Sequence, residues 1–335
     1  MSVVAILGAG SWGTALAAHL GRVGHEVRLW ARDPLVADEI ARQRTNSTYL
    51  PGIELPANVA AKEDIASALA GATIVVAAVP SHGCRAVVRA AVPHLGAGVP
   101  LVSTAKGLEV DTLMRMSEVI AQELGATHPV VVLSGPSFAL EVARQLPTAV
   151  LAASSDERAM DLVQREFRGP TFRLYGSNDV VGVEVAGAMK NVIAIAAGVV
   201  EGLGLGHNAL AALVTRGLAE VTRLACAAGG RRETAAGLSG LGDLVLTCTG
   251  SLSRNRFVGI ELARGRQLPD VIAGMKMIAE GVKTTHAALA LGVRYDVELP
   301  IAAQMASVLD GRMGAAAAVG ALMLRPQRSE TEGTC

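Results

Sequence analysis

The stretch VVAILGAGSWG, residues 3–13, decides the fold because it joins a strand pattern directly to a glycine-rich loop. VVAIL predicts a buried strand, the residues after the loop predict a helix, and EVRLW at 26–30 predicts a second strand. Gly8 permits a tight turn, Gly10 a close backbone approach, and Gly13 close packing of the helix on the sheet. In this strand-helix-strand context, the GxGxxG spacing predicts a dinucleotide-binding loop whose helix N-terminus faces the pyrophosphate.

Further short apolar runs alternate with helical segments through the first half of the chain. They are ATIVVAAVP, VPLVSTAKG, PVVVLSG, TAVLAAS and TFRLYG. Such runs are typical of a mostly parallel sheet covered on both faces, whereas the second half has Ala/Leu/Gly patterns with a helical period. We predict the α/β class, with a doubly wound, Rossmann-like dinucleotide-binding domain over residues 1–177, an all-helical substrate and catalytic domain over 178–324, and a flexible tail over 325–335.

The composition narrows the classes of ligand and compartment. Thirty Lys and Arg residues balance thirty Asp and Glu residues, so the charge does not favour nucleic acid or an anionic membrane as a partner. Four cysteines without CxxC spacing and seven histidines without HExxH spacing predict free thiols and no metal site. The N-terminus lacks the basic start of a signal peptide, and no uncharged apolar run reaches the roughly 18 residues of a membrane span. We expect a cytoplasmic protein that binds a small molecule.

Lys190 is conspicuous because it lies within EVAGAMKNVIAIAAGVV, residues 184–200, which is apolar on every helical face. The pattern predicts a helix that is buried on most sides. The neighbours one turn away, such as Ala186 and Ile193, cannot pair with its charge. Either a partner comes from elsewhere in the fold, which would suit proton transfer, or the side chain extends to the surface along its methylenes.

The residues after the second strand bear on the choice of dinucleotide. No carboxylate ends the strand where NAD-selective sites usually place one, and Arg32 could bind the additional phosphate of NADP. Asp33 could bind the ribose instead, but Asp followed by Pro34 is also a typical helix start. We expect NADP(H) to be preferred, with NAD(H) also possible.

Several longer motifs make the sequence more specific. They are GAGSWGTALA, STAKGLE, LSGPSFALEVA, PTAV, VAGAMKNVIAIAAG, LGHNALAALVTRGLAE, GLSGLGDLVLTCTG, SLSRNR and IAEGVKTT. Together they closely resemble the bacterial NAD(P)-dependent glycerol-3-phosphate dehydrogenases over nearly the whole chain. The resemblance implies an oxidoreductase that interconverts dihydroxyacetone phosphate and sn-glycerol 3-phosphate with NAD(P)H, supplying glycerol 3-phosphate for phospholipid synthesis.

The resemblance also implies roles for individual residues. Lys190 matches the proton-transfer lysine, Lys106 a second catalytic lysine, and Asp243 the carboxylate that balances them; a helix cap for Asp243 and a solvated loop lysine for Lys106 are the alternatives. The residues implied for the substrate are Lys106, Gly135, Ser137, Lys190, Asp243, Ser253, Arg254 and Asn255. Those implied for the cofactor are Gly8, Gly10, Ser11, Trp12, Gly13, Arg32, Lys106, Ala139, Arg254, Ile278 and Glu280.

Two of these positions also have simpler interpretations. Ser253, Arg254 and Asn255 precede a helical pattern, so they are either a phosphate-binding helix start or merely a polar one. Glu280 could be an ordinary acid in the first turn of a helix. Ser137 lacks the GxSxG context of a hydrolase nucleophile.

Two other functions fit parts of the sequence. A related two-domain reductase would bind a hydroxy acid, with a substrate carboxylate in place of the phosphate. A catalytically inactive NAD(P)-sensing protein would keep the glycine loop but would have no need of Lys190 and Asp243. The apolar helical half is compatible with a homodimer.

Overall fold

The computed structural model describes residues 1–275, 277–327 and 329–330, apart from the side chain of residue 126. Part of the predicted tail, residues 328 and 331–335, therefore lies outside the described residues. The chain forms two compact units. The first contains Met1–Ala105 and Met116–Val180, and the second contains Lys106–Arg115 together with the chain from Val181 onward.

The first unit is built on an eight-stranded sheet in the order β3-β2-β1-β4-β5-β6-β7-β8. All neighbouring strands are parallel except β6 and β7, so the prediction of a mostly parallel, doubly wound α/β sheet is confirmed. The strands are β1 Val3–Leu7, β2 Glu26–Trp30, β3 Val59–Lys62, β4 Ile74–Ala77, β5 Leu101–Ser103, β6 Val130–Ser134, β7 Thr148–Ala153 and β8 Phe172–Ser177. The apolar runs predicted every strand except β3, whose sequence VAAK is short and buries only its first residue.

Helices of the first unit connect these strands. They are α1 Ser11–Val23, α2 Pro34–Gln43, α3 Ile65–Leu69, α4 Ser81–Ala91, α5 Met116–Leu124, α6 Ala139–Ala143 and α7 Glu157–Phe167, with single 3-10 turns at Val92–His94 and Gly125–Thr127. Aspartate side chains cap three of them: Asp33 caps α2, Asp64 caps α3 and Asp156 caps α7. Each accepts a hydrogen bond from a first-turn amide that would otherwise lack a helical partner.

The second unit is helical after residue 180, as predicted. Its helices are α8 Val180–Gly202, α9 Gly206–Ala227, α10 Arg232–Ala235, α11 Asp243–Thr249, α12 Arg254–Ala263, α13 Leu268–Ala273, α14 Glu280–Arg294, α15 Pro300–Leu309 and α16 Ala315–Met323, with a π-helical turn at Leu238–Gly242. By length and composition α8 could span a membrane, but 89% of its most apolar window is buried inside the protein. It is the central core helix of this unit, with every residue from 182 to 200 buried.

A hairpin formed by Lys106–Arg115 belongs to the second unit although β5 and α5 on either side of it belong to the first. Leu108 and Arg115 pair as an antiparallel bridge, and Leu108 is buried in the hydrophobic core of the second unit. Arg115 donates a 2.8 Å hydrogen bond to Glu184 of α8. The hairpin is therefore held against α8 by both apolar packing and an ion pair.

Two glycines let α8 and α12 cross at backbone distance. A Cβ placed on Gly198 would lie 1.9 Å from the carbonyl oxygen of Arg256, and one placed on Gly259 would lie 1.9 Å from that of Ile195. No real side chain tolerates either separation. The position of α12 relative to α8 therefore depends on the absence of side chains at both residues.

The expectation of free thiols is correct for Cys84 and Cys248, which are free and buried. It is wrong for Cys226, which is disulfide-bonded. The absence of a CxxC spacing excludes only pairs that are close in sequence, so it did not bear on this residue.

Replacing Gly198 with alanine should separate α8 from α12, because the new Cβ meets backbone that cannot rotate away. We expect the free energy of unfolding to fall by about 2–3 kcal/mol, the scale of an overpacked core site. The matched control is Gly320→Ala in α16, where a Cβ would meet no described atom within 4 Å. That change should stabilise the protein by about 0.5–1 kcal/mol, the helix-propensity gain of alanine over glycine. Urea unfolding measures both, and equal effects would contradict the packing argument.

Candidate active site

One carboxylate in the second unit binds two lysines. Lys190 Nζ donates to Asp243 Oδ1 at 2.8 Å, and Lys106 Nζ donates to Asp243 Oδ2 at 2.7 Å. Asp243 is 1% exposed and Lys190 is 7% exposed. The partner that Lys190 required from elsewhere in the fold is thus Asp243, and the interpretations of a surface lysine at 190 and of a capping role for Asp243 are both wrong.

Three separate segments bring these groups together. Lys190 lies in the middle of α8, Asp243 is the first residue of α11, and Lys106 is the first residue of the hairpin. Thr247 lies one helical turn after Asp243 on the same face. Its Oγ1 donates to the Asp243 carbonyl at 2.6 Å and accepts a 2.9 Å hydrogen bond from Lys190 Nζ.

The ammonium group of Lys190 is therefore oriented by two acceptors. An ammonium has three N–H donors, and the contacts to Asp243 and Thr247 use two of them. No further acceptor for the third is found among the described residues, so it could bind an oxygen atom of a ligand. Thr247 was not predicted from the sequence, although its spacing of four residues from Asp243 in a helical pattern was a usable signal.

The electrostatics of the cluster bring the pKa of Lys190 closer to neutral pH. Burial is the largest influence and, together with the nearby charge of Lys106, lowers the pKa of Lys190 to about 8 despite the opposing effect of Asp243. Burial alone would raise the pKa of Asp243, but the two lysines outweigh it and the pKa is lowered. Asp243 thus stays ionised while Lys190 can exist as either amine or ammonium near neutral pH.

Two asparagine side chains extend the cluster toward α14. Asn191 Nδ2 donates to the Lys106 carbonyl oxygen at 2.9 Å, and its Oδ1 accepts a 2.8 Å hydrogen bond from Asn255 Nδ2. Asn255 Oδ1 in turn accepts from the backbone N–H of Gly281 at 2.9 Å. The segments containing Lys106, Lys190, Asn255 and the start of α14 are therefore joined by buried amide hydrogen bonds.

The triplet Ser253, Arg254 and Asn255 does form a helix start. Ser253 Oγ caps α12 by accepting from the Arg256 N–H at 3.2 Å, while Arg254 is exposed as a residue. Glu280 is the first residue of α14, as the simpler interpretation held, and its charge also acts on Arg254. Ile278 lies before α14 and is 40% exposed.

The glycine loop in the first unit has the predicted form. Gly8 has φ +116°, and a Cβ there would meet the Ala78 carbonyl oxygen at 2.6 Å. A Cβ at Gly13 would lie 1.9 Å from the Gly8 carbonyl oxygen, so α1 packs directly on the loop. Gly10 differs, because a Cβ there would face open space, with no described atom within 4 Å apart from its chain neighbours.

Other predicted residues of the first unit lie at the ends of its strands. The exposed Arg32 follows β2, and Asp33 next to it caps α2 by accepting from the Leu35 N–H at 3.0 Å. Gly135 follows β6 with φ +124°, and its carbonyl accepts a 2.9 Å hydrogen bond from Ser137 Oγ. The remaining predicted cofactor residues are Ser11 and Trp12 in the first turn of α1 and Ala139 at the start of α6.

Within the described residues, no cluster of three or more His, Cys, Asp and Glu side chains has the arrangement of a metal site. The polar groups around Lys190 are instead lysine, carboxylate, hydroxyl and amide groups. Their arrangement suits transfer of a proton rather than ligation of a cation.

Comparison with known proteins decides the family. The chain matches the profile of the NAD-dependent glycerol-3-phosphate dehydrogenase N-terminus over residues 3–160 and that of the C-terminus over residues 179–320. The chain belongs to this dehydrogenase family. The resemblance inferred from the sequence motifs is therefore confirmed.

Named relatives of the dehydrogenase family match along their whole length. The glycerol-3-phosphate dehydrogenase [NAD(P)+] of Koribacter versatilis is 53% identical, covering 98% of this chain and 99% of that protein. The protein of the same name from Acidobacterium capsulatum is 51% identical, covering 98% and 100%. The crystal structure of glycerol-3-phosphate dehydrogenase from Coxiella burnetii has a TM-score of 0.93 at 40% identity, covering 97% and 99%.

The glycine loop fits the dinucleotide that the dehydrogenase family name implies. Helix α1 begins after Gly10, which has no side chain to cap the first-turn amides, and Ser11, Trp12 and Gly13 carry no negative charge. The helix N-terminus therefore presents a partial positive charge beside the open space at Gly10. These are the features that a pyrophosphate requires.

A change at Gly10 should separate binding from folding. Its φ of −70° and ψ of 179° are accessible to alanine, and the new Cβ would project into open space. Gly10→Ala should therefore leave the melting temperature nearly unchanged but weaken dinucleotide binding by about tenfold or more, which is about 1.4 kcal/mol. Gly13→Ala, the control, should lower the melting temperature as well. Calorimetric titration with NADPH measures affinity, and unchanged affinity in Gly10→Ala would place the dinucleotide elsewhere.

Proposed function

We propose that the protein interconverts dihydroxyacetone phosphate and sn-glycerol 3-phosphate with NADPH or NADH, supplying glycerol 3-phosphate for phospholipid synthesis. The observation that carries the proposal is the buried Lys190 ammonium, held by Asp243 and Thr247 with one N–H remaining. Family membership and relatives at about half identity over their full length support the same reaction. A protein that only senses the dinucleotide would have no use for this proton donor.

Lys190 is proposed to carry the proton of the reaction. A nicotinamide bound at this site would supply a hydride to the ketone carbon in reduction and would accept one from the carbinol carbon in oxidation. In the direction of reduction, the Lys190 ammonium stabilises the alkoxide formed from the ketone and donates its proton to that oxygen. In the direction of oxidation, the neutral Lys190 amine removes the hydroxyl proton.

Asp243 and Lys106 are proposed to prepare the site for this transfer. Asp243 keeps Lys190 oriented and offsets part of the positive charge of the two lysines. Two ammonium groups against one carboxylate leave a single excess positive charge. That excess favours an anionic substrate and an alkoxide-like transition state, and Lys106 supplies it beside the reacting oxygen.

Arg254 and the start of α12 are proposed to bind the substrate phosphate. Arg254 is exposed as a residue, while burial of its guanidinium lowers its pKa, and the first-turn amides of α12 contribute partial positive charge. Ser253 and Asn255 use side-chain atoms to hold this helix start in place. Gly135 and Ser137 of the first unit are proposed as further substrate residues on the strength of the family resemblance.

The dinucleotide is proposed to bind the first unit, which corresponds to the predicted domain 1–177, while residues 178–324 provide the substrate and catalytic domain. Besides the glycine loop, the proposed contacts are Ser11, Trp12, Arg32, Ala139, Lys106, Arg254, Ile278 and Glu280. Because Asp33 is engaged in capping α2 and Arg32 is exposed beside it, we propose a preference for NADPH. The ratio of kcat/KM for NADPH to that for NADH measures this preference.

We also propose that the protein acts in the cytoplasm as a homodimer. Burial of the long apolar helix α8 inside the second unit supports the compartment. The apolar composition of the helical half supports the dimer. Sedimentation equilibrium of the purified protein would test the oligomeric state, and a monomer at micromolar concentration would exclude it.

A single assay distinguishes the proposed function from its two rivals. NADPH oxidation is followed with dihydroxyacetone phosphate and, separately, with hydroxypyruvate. Turnover of the phosphorylated ketone alone supports the proposal. Turnover of hydroxypyruvate alone would indicate a hydroxy-acid reductase, and NADPH binding without turnover of either would indicate a sensor.

Lys190→Met removes the proton carrier while nearly preserving the volume of the side chain. We expect turnover to fall about 100-fold or more, the usual scale for lost acid–base catalysis, with NADPH affinity retained. For the wild type, glycerol 3-phosphate oxidation should rise as the pH passes through about 8, where Lys190 loses its proton and becomes the neutral base, and reduction should decline over the same range. The variant should lose this pH dependence. Activity above about a third of the wild type would exclude the proposed role.

Arg254→Ala tests the phosphate handle. Because binding of a remote group helps to position the carbonyl, we expect kcat/KM for dihydroxyacetone phosphate to fall about 100-fold, or about 2.7 kcal/mol. Unphosphorylated dihydroxyacetone is the control. It should be a poor substrate of the wild type and lose little more in the variant. Equal proportional losses for both ketones would reject a phosphate contact and favour the hydroxy-acid alternative.

A further inference from the structure

Asn191 follows the catalytic Lys190 in sequence but contacts the other lysine. Its side chain is 5% exposed, and its Nδ2 donates to the backbone carbonyl of Lys106 at 2.9 Å. This is a contact with the main chain, so it fixes where the Lys106 side chain begins and leaves its Nζ available to Asp243. No function was predicted for Asn191 from the sequence.

The orientation of the Asn191 side-chain amide is itself fixed by hydrogen bonds to Asn255 and, through it, to Gly281. Asn255 Nδ2 donates to Asn191 Oδ1, and Asn255 Oδ1 accepts from the Gly281 N–H. A donor therefore faces an acceptor at each step from Gly281 to Lys106, and reversing either amide would oppose like groups. Gly281 has no room for a side chain, since a Cβ there would lie 2.6 Å from the Asn191 carbonyl oxygen.

The contact from Asn191 lies at the catalytic end of the hairpin. At the last residue of the hairpin, Arg115 pairs with the buried Glu184 of α8 at 2.8 Å. Between these points, Leu108 is buried in the core. The Arg115 pair and Leu108 can retain the hairpin, but Asn191 contacts Lys106 itself.

We propose that Asn191 is a positioning residue that holds Lys106 against Asp243 through the Lys106 backbone carbonyl, with its own amide set by Asn255 and Gly281. The proposal rests on the proposed function, because it gives Lys106 a part in the same reaction. It explains why an asparagine occupies a helix face that is otherwise apolar. It also makes the start of α14 part of the support for the catalytic cluster.

Loss of the hydrogen bond between Asn191 and Lys106 would also change the pKa of Lys190. If Lys106 withdraws from Asp243, the carboxylate is left to Lys190 alone and the repulsion between the two ammonium groups falls. Both changes favour the charged form of Lys190, so the pKa of Lys190 must rise. A variant that merely let water into the site would also raise the pKa of Lys190, because burial is the main cause of its lowering, so a double-mutant cycle is needed to separate the two cases.

The first test is a double-mutant cycle that combines Asn191→Leu with Lys106→Met. Leucine has nearly the same shape as asparagine but cannot form the hydrogen bonds. Asn191→Leu alone should lower kcat/KM for dihydroxyacetone phosphate about tenfold or more, the scale of a small misplacement of a catalytic group. In the Lys106→Met background it should cause no further loss, because Asn191 acts through Lys106. Losses that multiply in the double variant would overturn the proposal. If Asn191→Leu does not fold, Asn191→Ala is used in the same cycle.

The second readout is the pH profile of glycerol 3-phosphate oxidation. In Asn191→Leu the rising limb should move to higher pH by about half a unit or more, with NADPH affinity unchanged. Thr285→Val is the matched control, because it removes a buried hydroxyl that donates to the Gly281 carbonyl at 2.7 Å outside the amide chain. It should lower thermal stability without moving the limb. An unmoved limb in Asn191→Leu would overturn the positioning role, whereas absence of wild-type turnover would instead overturn the proposed function.

Discussion

The second unit is organised around one buried carboxylate that binds two ammonium groups, one of them buried and the other partly buried. An uncompensated charge in such an environment costs several kcal/mol, so Asp243 must be within hydrogen-bond distance of both Lys106 and Lys190. This requirement fixes α11 and the hairpin relative to α8. The amide chain through Asn191 and Asn255 then joins the same region to α14 and α12. The same hydrogen bonds therefore form the candidate site and hold the helices of this unit together.

The elements that could be predicted are those with a strong local pattern. The glycine loop was predictable because a strand precedes it and a helix follows it, and α8 because its apolar run has helical length. Strand β3 was not, since VAAK has only one buried residue and takes its conformation from pairing with β2. The position of Asp33 illustrates an intermediate case. Its sequence allowed either a cap or a ribose contact, and the hydrogen bond to Leu35 favours the cap.

The candidate site was predictable in its residue types but not in its construction. The apolar surroundings of Lys190 required an external partner, and family resemblance pointed to Asp243. Neither indicated that Lys106 belongs to the second unit, because the sequence STAKG is typical of any loop that follows a strand. The functions of Thr247 and Asn191 were missed for a related reason: each depends on an atom far away in sequence, and a single chain without its fold gives no measure of that proximity.

The hairpin Lys106–Arg115 imposes an order on how the protein is made. A ribosome adding about 5–20 residues per second completes this hairpin seconds before α8 emerges to receive it. During that interval Leu108, which ends in the core of the second unit, has no apolar surface of that unit to cover it. The nascent chain must therefore keep the apolar side chain of Leu108 exposed while the rest of the first unit is synthesised. If the hairpin packs on another apolar surface during this interval, the chain misfolds. This risk follows from placing Lys106, which must reach Asp243, in a segment that is made before α8.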